Sequence, residues 1–283
     1  MEPVTYQQLL EAGVHFGHLK RKWSPRMAPY IFMERKGIHI IDLNKTLECL
    51  NEAAAALRQI ARSGKKILFV ATKKQAKQIV SEAALRAGMP YVTERWLGGM
   101  LTNFATIRKS IKKLQNIDRM LAEGNAGDIT KKERLRLSRE KAKMEKVLNG
   151  ISTLVRLPSA VFIVDILHEN IALAEARRLG ITTVAMVDTN SDPTLVDFAI
   201  PANDDATKSI AVITNFLADA IVEGLAERQQ EREESEQAEE SEPSTLIAEV
   251  TAGDEDKDVE ITEKPKGKGG GRRSGGRSSR PMR

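Results

Sequence analysis

Four short apolar runs constrain what this chain can become. "KILFVAT" (66–72), "AVFIVDI" (160–166), "TTVAMVD" (182–188) and "DFAIPA" (197–202) carry charge only at or next to their ends. Helical stretches alternate with them: "KKQAKQIVSEAALRAG" (73–88), "HENIALAEARRLG" (168–180) and "TKSIAVITNFLADAIVEGLAERQQERE" (207–233). A strand apolar on both faces must be covered on both faces, and a parallel neighbour is reached only through a crossover helix. The alternation therefore predicts a parallel sheet between two helical layers.

The segment before the first run reads differently. "VTYQQLLEAG" is a short helix with Thr5 as N-cap and Gly13 as its stop. "YIFMERKGIHIIDL" alternates apolar and polar around Arg35-Lys36-Gly37, which predicts a hairpin. Asp42 or Asn44 then caps a long helix with four consecutive alanines, ended by Gly64.

One insertion interrupts the α/β rhythm. Residues 104–151 form two helical stretches separated by "AEGNAGDIT". The first carries Phe104, Ile107, Ile111, Leu114, Ile117 and Leu121; the second carries Leu137, Met144, Val147, Leu148 and Ile151. Both stripes are narrow, near the spacing of a coiled-coil seam, and the Gly124/Gly127 turn lets them fold back as an antiparallel pair. This predicts a projecting hairpin arm, its outer faces holding 13 Lys+Arg against 6 Asp+Glu.

The chain divides into a body at 1–103 and 152–229, the arm at 104–151, and a tail at 230–283. Charge follows the same division. Residues 1–226 hold 33 basic against 24 acidic groups, 227–263 hold 3 against 15, and 264–283 hold 8 against none. A basic body points to a polyanionic partner. The tail is rich in Glu, Gly and Ser and is expected to be disordered; its end, "KGKGGGRRSGGRSSRPMR", reads equally as an Arg-Gly RNA-binding segment or a solubilising one. Aromatics make up only 4% of the chain, which argues against base-stacking platforms. The single cysteine, Cys49, allows no disulfide framework and reads as a small buried residue. No window approaches the ~18 apolar residues of a membrane span, and "MEPVTYQQLLEAG" lacks a signal pattern, so a cytoplasmic protein is expected.

"RWLGGMLTNF" (95–104) sits between a short apolar stretch and a helix, where a nucleotide-binding protein keeps its phosphate loop. Only Gly98 and Gly99 are present, without the third glycine of a dinucleotide fingerprint, and "RSGKKI" (62–67) fails as a P-loop. Two readings stand. The glycines make a tight turn with Thr102 or Asn103 capping the arm, or they open backbone N–H groups to a phosphate of an RNA backbone, flanked by Arg95, Arg108, Lys109 and Lys112.

"HFGHLKRKWSPRMAPYIF" (15–32) clusters Lys20, Arg21, Lys22 and Arg26 around Trp23, as suits a phosphate-tracking loop with one stacking or anchoring aromatic. His15 and His18 have no third ligand nearby, so no local zinc site is expected. Asp165, Asp188, Asp192, Asp204 and Asp205 fall at strand ends, where open α/β sheets gather their sites. Capping accounts for most of them; Asp188, Asp204 and Asp205 form a candidate set for a divalent cation. With no nucleophile elbow and no matched base, no catalytic residue and no organic cofactor are expected.

"LLEAGVHFGHLKRKWSPRMAPYIF", "KILFVATKKQA", "ERWLGGMLTNFATIRKSI" and "PSAVFIVDILHENIALAEARRLGI" together resemble the bacterial small-subunit ribosomal protein S2 family, over about residues 4–227. Thr182 is one local departure, and nothing is carried over to residues 230–283. The resemblance implies a flavodoxin-like or Rossmann-like α/β body with a coiled-coil hairpin. It implies a place between head and body of the small subunit, contacts with 16S rRNA and neighbouring ribosomal proteins, and help in recruiting ribosomal protein S1. By the same resemblance, the loop from His18 to Arg26 and the stretch from Arg95 to Lys109 become rRNA contacts. DNA, membranes and self-association into a homo-oligomer are not expected. The competing readings are a nucleotide-dependent α/β enzyme and an adaptor whose arm binds protein.

Overall fold

The computed structural model describes residues 4–122 and 130–241. The arm's glycine turn and the tail from residue 242 lie outside the described residues.

Helix α1 (Tyr6–Glu11) starts with a reciprocal cap: the Thr5 hydroxyl accepts from the Gln8 amide while the Gln8 side chain accepts from the Thr5 amide. Strands β1 (Phe16–Leu19), β2 (Ile31–Arg35) and β3 (Ile38–Ile41) form a small antiparallel sheet in the order β1-β3-β2. The expected hairpin is there, and Lys36 and Gly37 both have positive φ (53° and 75°), as its two-residue turn requires. β1 is an addition to the sequence reading. Helix α2 (Leu43–Arg62) is capped by Asp42, whose carboxylate accepts from the Asn44 amide.

The remaining elements are β4 (Ile67–Val70), α3 (Lys77–Arg86), β5 (Tyr91–Val92), α4 (Phe104–Ala122), α5 (Lys131–Leu148), β6 (Ala160–Val164), α6 (Asn170–Arg178), β7 (Thr182–Val187), β8 (Phe198–Pro201) and α7 (Thr207–Ser241). Five parallel strands run in the order β5-β4-β6-β7-β8. This is the flavodoxin-like order, in which successive connections change direction between β4 and β6.

Side chains alternate across the sheet and divide the core in two. Ile67, Phe69, Phe162, Val184 and Met186 face α1, α2, α3 and α7, with Phe69 and Phe162 in register and edge-to-face at 5.5 Å. Leu68, Val70, Val161, Ile163 and Val187 face the other way, against α6 and the arm. Ile107, Ile111 and Leu114 of α4, with Leu148 and Ile151, belong to this second core. The root of the hairpin is thus packed on the sheet, a contact that the projecting-arm reading did not include. Ion pairs Lys113–Glu140 and Lys141–Asp118 tie α4 to α5 in antiparallel fashion.

Helix α7 brings two corrections. Its span Thr207–Ser235 is long and apolar enough to cross a membrane, contrary to the window reading. Ile210, Ile213, Phe216, Leu217 and Ile221 are buried in the first core, so its apolarity serves packing against the sheet. The helix also runs through Ser241, past the boundary at 230 set for the tail; the Glu, Gln and Arg there are good helix formers.

Candidate functional site

Every strand of the parallel sheet ends at the same edge, so the segments that follow them converge there. Lys73 follows β4, Asp165 follows β6, Asp188 follows β7, and Asp204 and Asp205 follow β8. The N-terminal segment is pinned over this edge: the Asn203 amide donates to the Val14 carbonyl, and the Ser24 amide to the Thr189 carbonyl at 2.8 Å. At Gly17 a Cβ would lie 2.5 Å from the Thr189 side chain, so only glycine permits the approach. That approach lets the His18 amide donate to Thr189 Oγ1 at 2.8 Å and carries the imidazole into the carboxylate cluster.

Lys73 Nζ sits 2.7 Å from Asp165 Oδ2, 2.7 Å from Asp204 Oδ1 and 2.8 Å from Asp205 Oδ1. His18 Nδ1 lies 2.9 Å from Asp188 Oδ2, and its Nε2 lies 3.4 Å from Asp205 Oδ2. Asp165 is held at φ 67°, with Oδ1 accepting from the Leu167 and His168 amides. Burial, then repulsion from Asp188 and Asp165, pushes the Asp204 carboxyl up to about 7 against the pull of Lys73. Burial opposes the charge on Lys73, but Asp204, Asp165 and Asp205 outweigh it and raise its ammonium above the ordinary lysine range. The hydrogen bond to Asp188 raises the His18 imidazole against burial.

Four carboxylates thus meet one ammonium and one imidazole. One acceptor is left over: Asp204 Oδ2 is buried without a partner. His18, Asp188 and Asp204 each present a ligand atom within 4.8 Å of the others. The candidate cation set therefore gains His18 and loses Asp205, which is half exposed and committed to Lys73. Sequence reasoning set His18 aside for want of a third ligand nearby, because its companions Asp188 and Asp204 lie 170 or more positions away. Gly17 was the available signal, since a glycine inside a strand marks a close backbone approach.

The "RWLGGMLTN" loop holds an anion other than the RNA phosphate considered for it. Glu175 of α6 fills it: Oε1 accepts from Trp96 Nε1 (3.2 Å) and the Gly99 amide (2.6 Å). Oε2 accepts from the Leu101 and Thr102 amides (3.0 Å each) and from Thr102 Oγ1 (3.1 Å). The phosphate-seat reading is overturned, because the protein's own carboxylate already occupies those donors. The turn reading stands: Gly99 has φ 86°, and the Asn103 carbonyl takes the first helical bond of α4, from Ile107.

The basic candidates sort by commitment. Lys20 pairs with Glu34 at 2.7 Å, and Arg26 with Asp192 at 2.5 Å. Trp23 is half-buried with its ring 5.1 Å from that of His39, so it anchors the loop, one of its two expected roles. Arg21, Lys22, Arg95, Arg108, Lys109 and Lys112 are exposed and make no ion pair among the described residues. Cys49 is half-buried rather than buried, with its thiol pushed up by burial and by Glu52.

Comparison with known proteins decides the family. The family model for ribosomal protein S2 matches residues 9–224. The chain belongs to the ribosomal protein S2 family. A relative from Cytophaga hutchinsonii, named small ribosomal subunit protein uS2, is 60% identical over 239 residues, covering 84% of this chain and 94% of its own. Proteins of the same name from Phocaeicola vulgatus (61% over 243 residues; 86% and 87% covered) and Azobacteroides pseudotrichonymphae (63% over 225 residues; 80% and 86% covered) are similar. The ribosomal protein S2 family is one of structural ribosomal proteins, not enzymes. The charge cluster at the sheet's switch point therefore has to be explained without catalysis.

Proposed function

We propose that this chain is a non-catalytic constituent of the small ribosomal subunit, binding 16S rRNA between head and body. It resides in the cytoplasm as part of that subunit. The observation that carries the rRNA assignment is the set of exposed cations that make no close ion pair among the described residues, on two elements: Arg21 and Lys22 on the N-terminal loop, and Arg95, Arg108, Lys109 and Lys112 at the arm's root. Exposed cations that are not locked in a close ion pair are able to displace counterions from a phosphate backbone, and the release of those ions supplies much of the affinity for a nucleic acid. Contact with neighbouring ribosomal proteins and recruitment of ribosomal protein S1 belong to the same reading, and only the family resemblance supports them.

The test is the salt dependence of binding to a 16S rRNA fragment. Arg21→Ala, Lys22→Ala and Arg108→Ala together should lower the slope of log affinity against log salt by about two to three. Arg26→Ala, whose guanidinium is spent on Asp192, should change it little. Binding that is insensitive to salt and unchanged in the triple variant would remove both elements from the interface.

A second reading concerns the charge cluster. His18, Asp188 and Asp204 fit a divalent cation, and the orphaned Asp204 oxygen supports it, since a buried acceptor without a partner is costly. A mixed imidazole and carboxylate set suits a zinc-like ion better than calcium or magnesium, which take oxygen ligands. Its role is to join the N-terminal segment to the sheet edge.

A further inference from the structure

We propose that Glu175 is the positioning residue of the helical arm: its carboxylate is a built-in anion that fixes the loop from which the arm departs. Five donors from one short loop converge on it, and four of them are rigid: three backbone amides and an indole. Successive amides around a residue of positive φ form a concave anion seat of the kind that holds phosphate elsewhere. In this protein the seat is filled from inside, by a side chain 8% exposed.

Glu175 cannot follow the loop, because its own helix is fixed. Its neighbours Ala172, Leu173 and Ala176 are packed in the second core. The Thr102 amide is bound to Glu175, and α4 begins two residues later, at Phe104. The carboxylate therefore ties the start of α4 to α6, beside the apolar packing of the arm's root on the sheet. A neutral replacement fails for a definite reason: all five groups donate, and a glutamine turns its own N–H groups toward some of them. Burial works against ionisation of Glu175, yet the Thr102, Gly99 and Leu101 amides and the Trp96 indole outweigh it and hold the carboxyl below the ordinary glutamate range. Glu175 plays this part whether the arm meets RNA or protein.

The experiment measures the arm's direction in the full chain. Spin labels on Lys74→Cys and Arg136→Cys, in a Cys49→Ala background, report the distance from body to arm. The parent should give a narrow distribution and Glu175→Ala a broadened or shifted one. Acetate should narrow it again by refilling the seat, and chloride at equal ionic strength should not. Glu175→Gln should fall between, with full secondary structure by circular dichroism. An unchanged distribution in a folded Glu175→Ala would overturn the proposal, as would broadening that acetate leaves in place. Should the variants fail to fold, the native chain still decides. Amide protection at Gly99, Leu101 and Thr102 should drop roughly tenfold or more as the Glu175 carboxyl titrates, given the strength of hydrogen bonds to charged acceptors. Protection that persists through that titration would sink the assignment.

Discussion

Lys73 Nζ lies 2.7 Å from Asp204 Oδ1, although 131 residues separate the two in sequence. One leaves β4 and the other follows β8, on opposite sides of the switch point, and the parallel sheet brings both to one edge. Their contact closes the ring of elements around that edge, with Asp165 and Asp205 sharing the same ammonium.

Removing the ammonium should be costly. Lys73→Met leaves the cluster's carboxylates without their cation and should destabilise the fold by about 3–5 kcal/mol near neutral pH. The loss should shrink at acid pH, where the carboxyls take up protons. Urea unfolding of parent and variant at two pH values measures both; a loss under about 1 kcal/mol would show that the ion network is not what holds this edge.

The cation reading predicts metal dependence. Purified protein should carry a divalent ion removable by chelators, and removal should lower the midpoint of thermal unfolding in line with binding to the native state alone. His18→Ala should lose the ion, whereas Asp192→Ala, outside the cluster, should keep it. Metal analysis that finds none, together with melting indifferent to added zinc, dismisses the site.

The arm should divide into a dispensable tip and an essential root. Replacing residues 119–137 by a short Gly-Ser turn should leave the body folded, because the described residues among them lie outside the second core. Ile111→Ala, at a position 5% exposed in that core, should cost about 2–5 kcal/mol. Equal effects of the two changes on thermal unfolding would contradict this division.

Acid should weaken the protein through Glu175. Its folded carboxyl titrates below the unfolded one, so its contribution is present above the unfolded value of about 4.3 and is lost as pH falls through the folded value. Glu175→Gln should therefore be less stable than the parent at pH 7 by about 1–3 kcal/mol, with the gap closing as pH falls through the folded value. A gap that stays constant with pH would mean the charge is not the cause.

Much of this was readable from residues alone. The hairpin at Lys36-Gly37, the caps at Thr5 and Asp42, and the glycine stops at Gly13 and Gly64 each follow from local backbone preference and appear as expected. Four of the five strands of the parallel sheet were legible because strands buried on both faces cannot hide their composition; β5, two residues long and only half-buried at Tyr91, was too short to be counted. Local rules did not reach the pairing of His18 with Asp188, nor the spending of Arg26 on Asp192. They also left Glu175 as one more helical acid, when it is the group that fills the glycine loop.

The sequence by itself determined the α/β alternation, the helical insertion and the basic character of the two exposed elements. These depend on period, propensity and charge count, which are properties of neighbouring residues. Only the tertiary structure decided which charges are free and which are spent, and which anion sits in the loop at Gly99. Those outcomes depend on distances between residues far apart in the chain, and such distances exist only once the sheet has set its strand order.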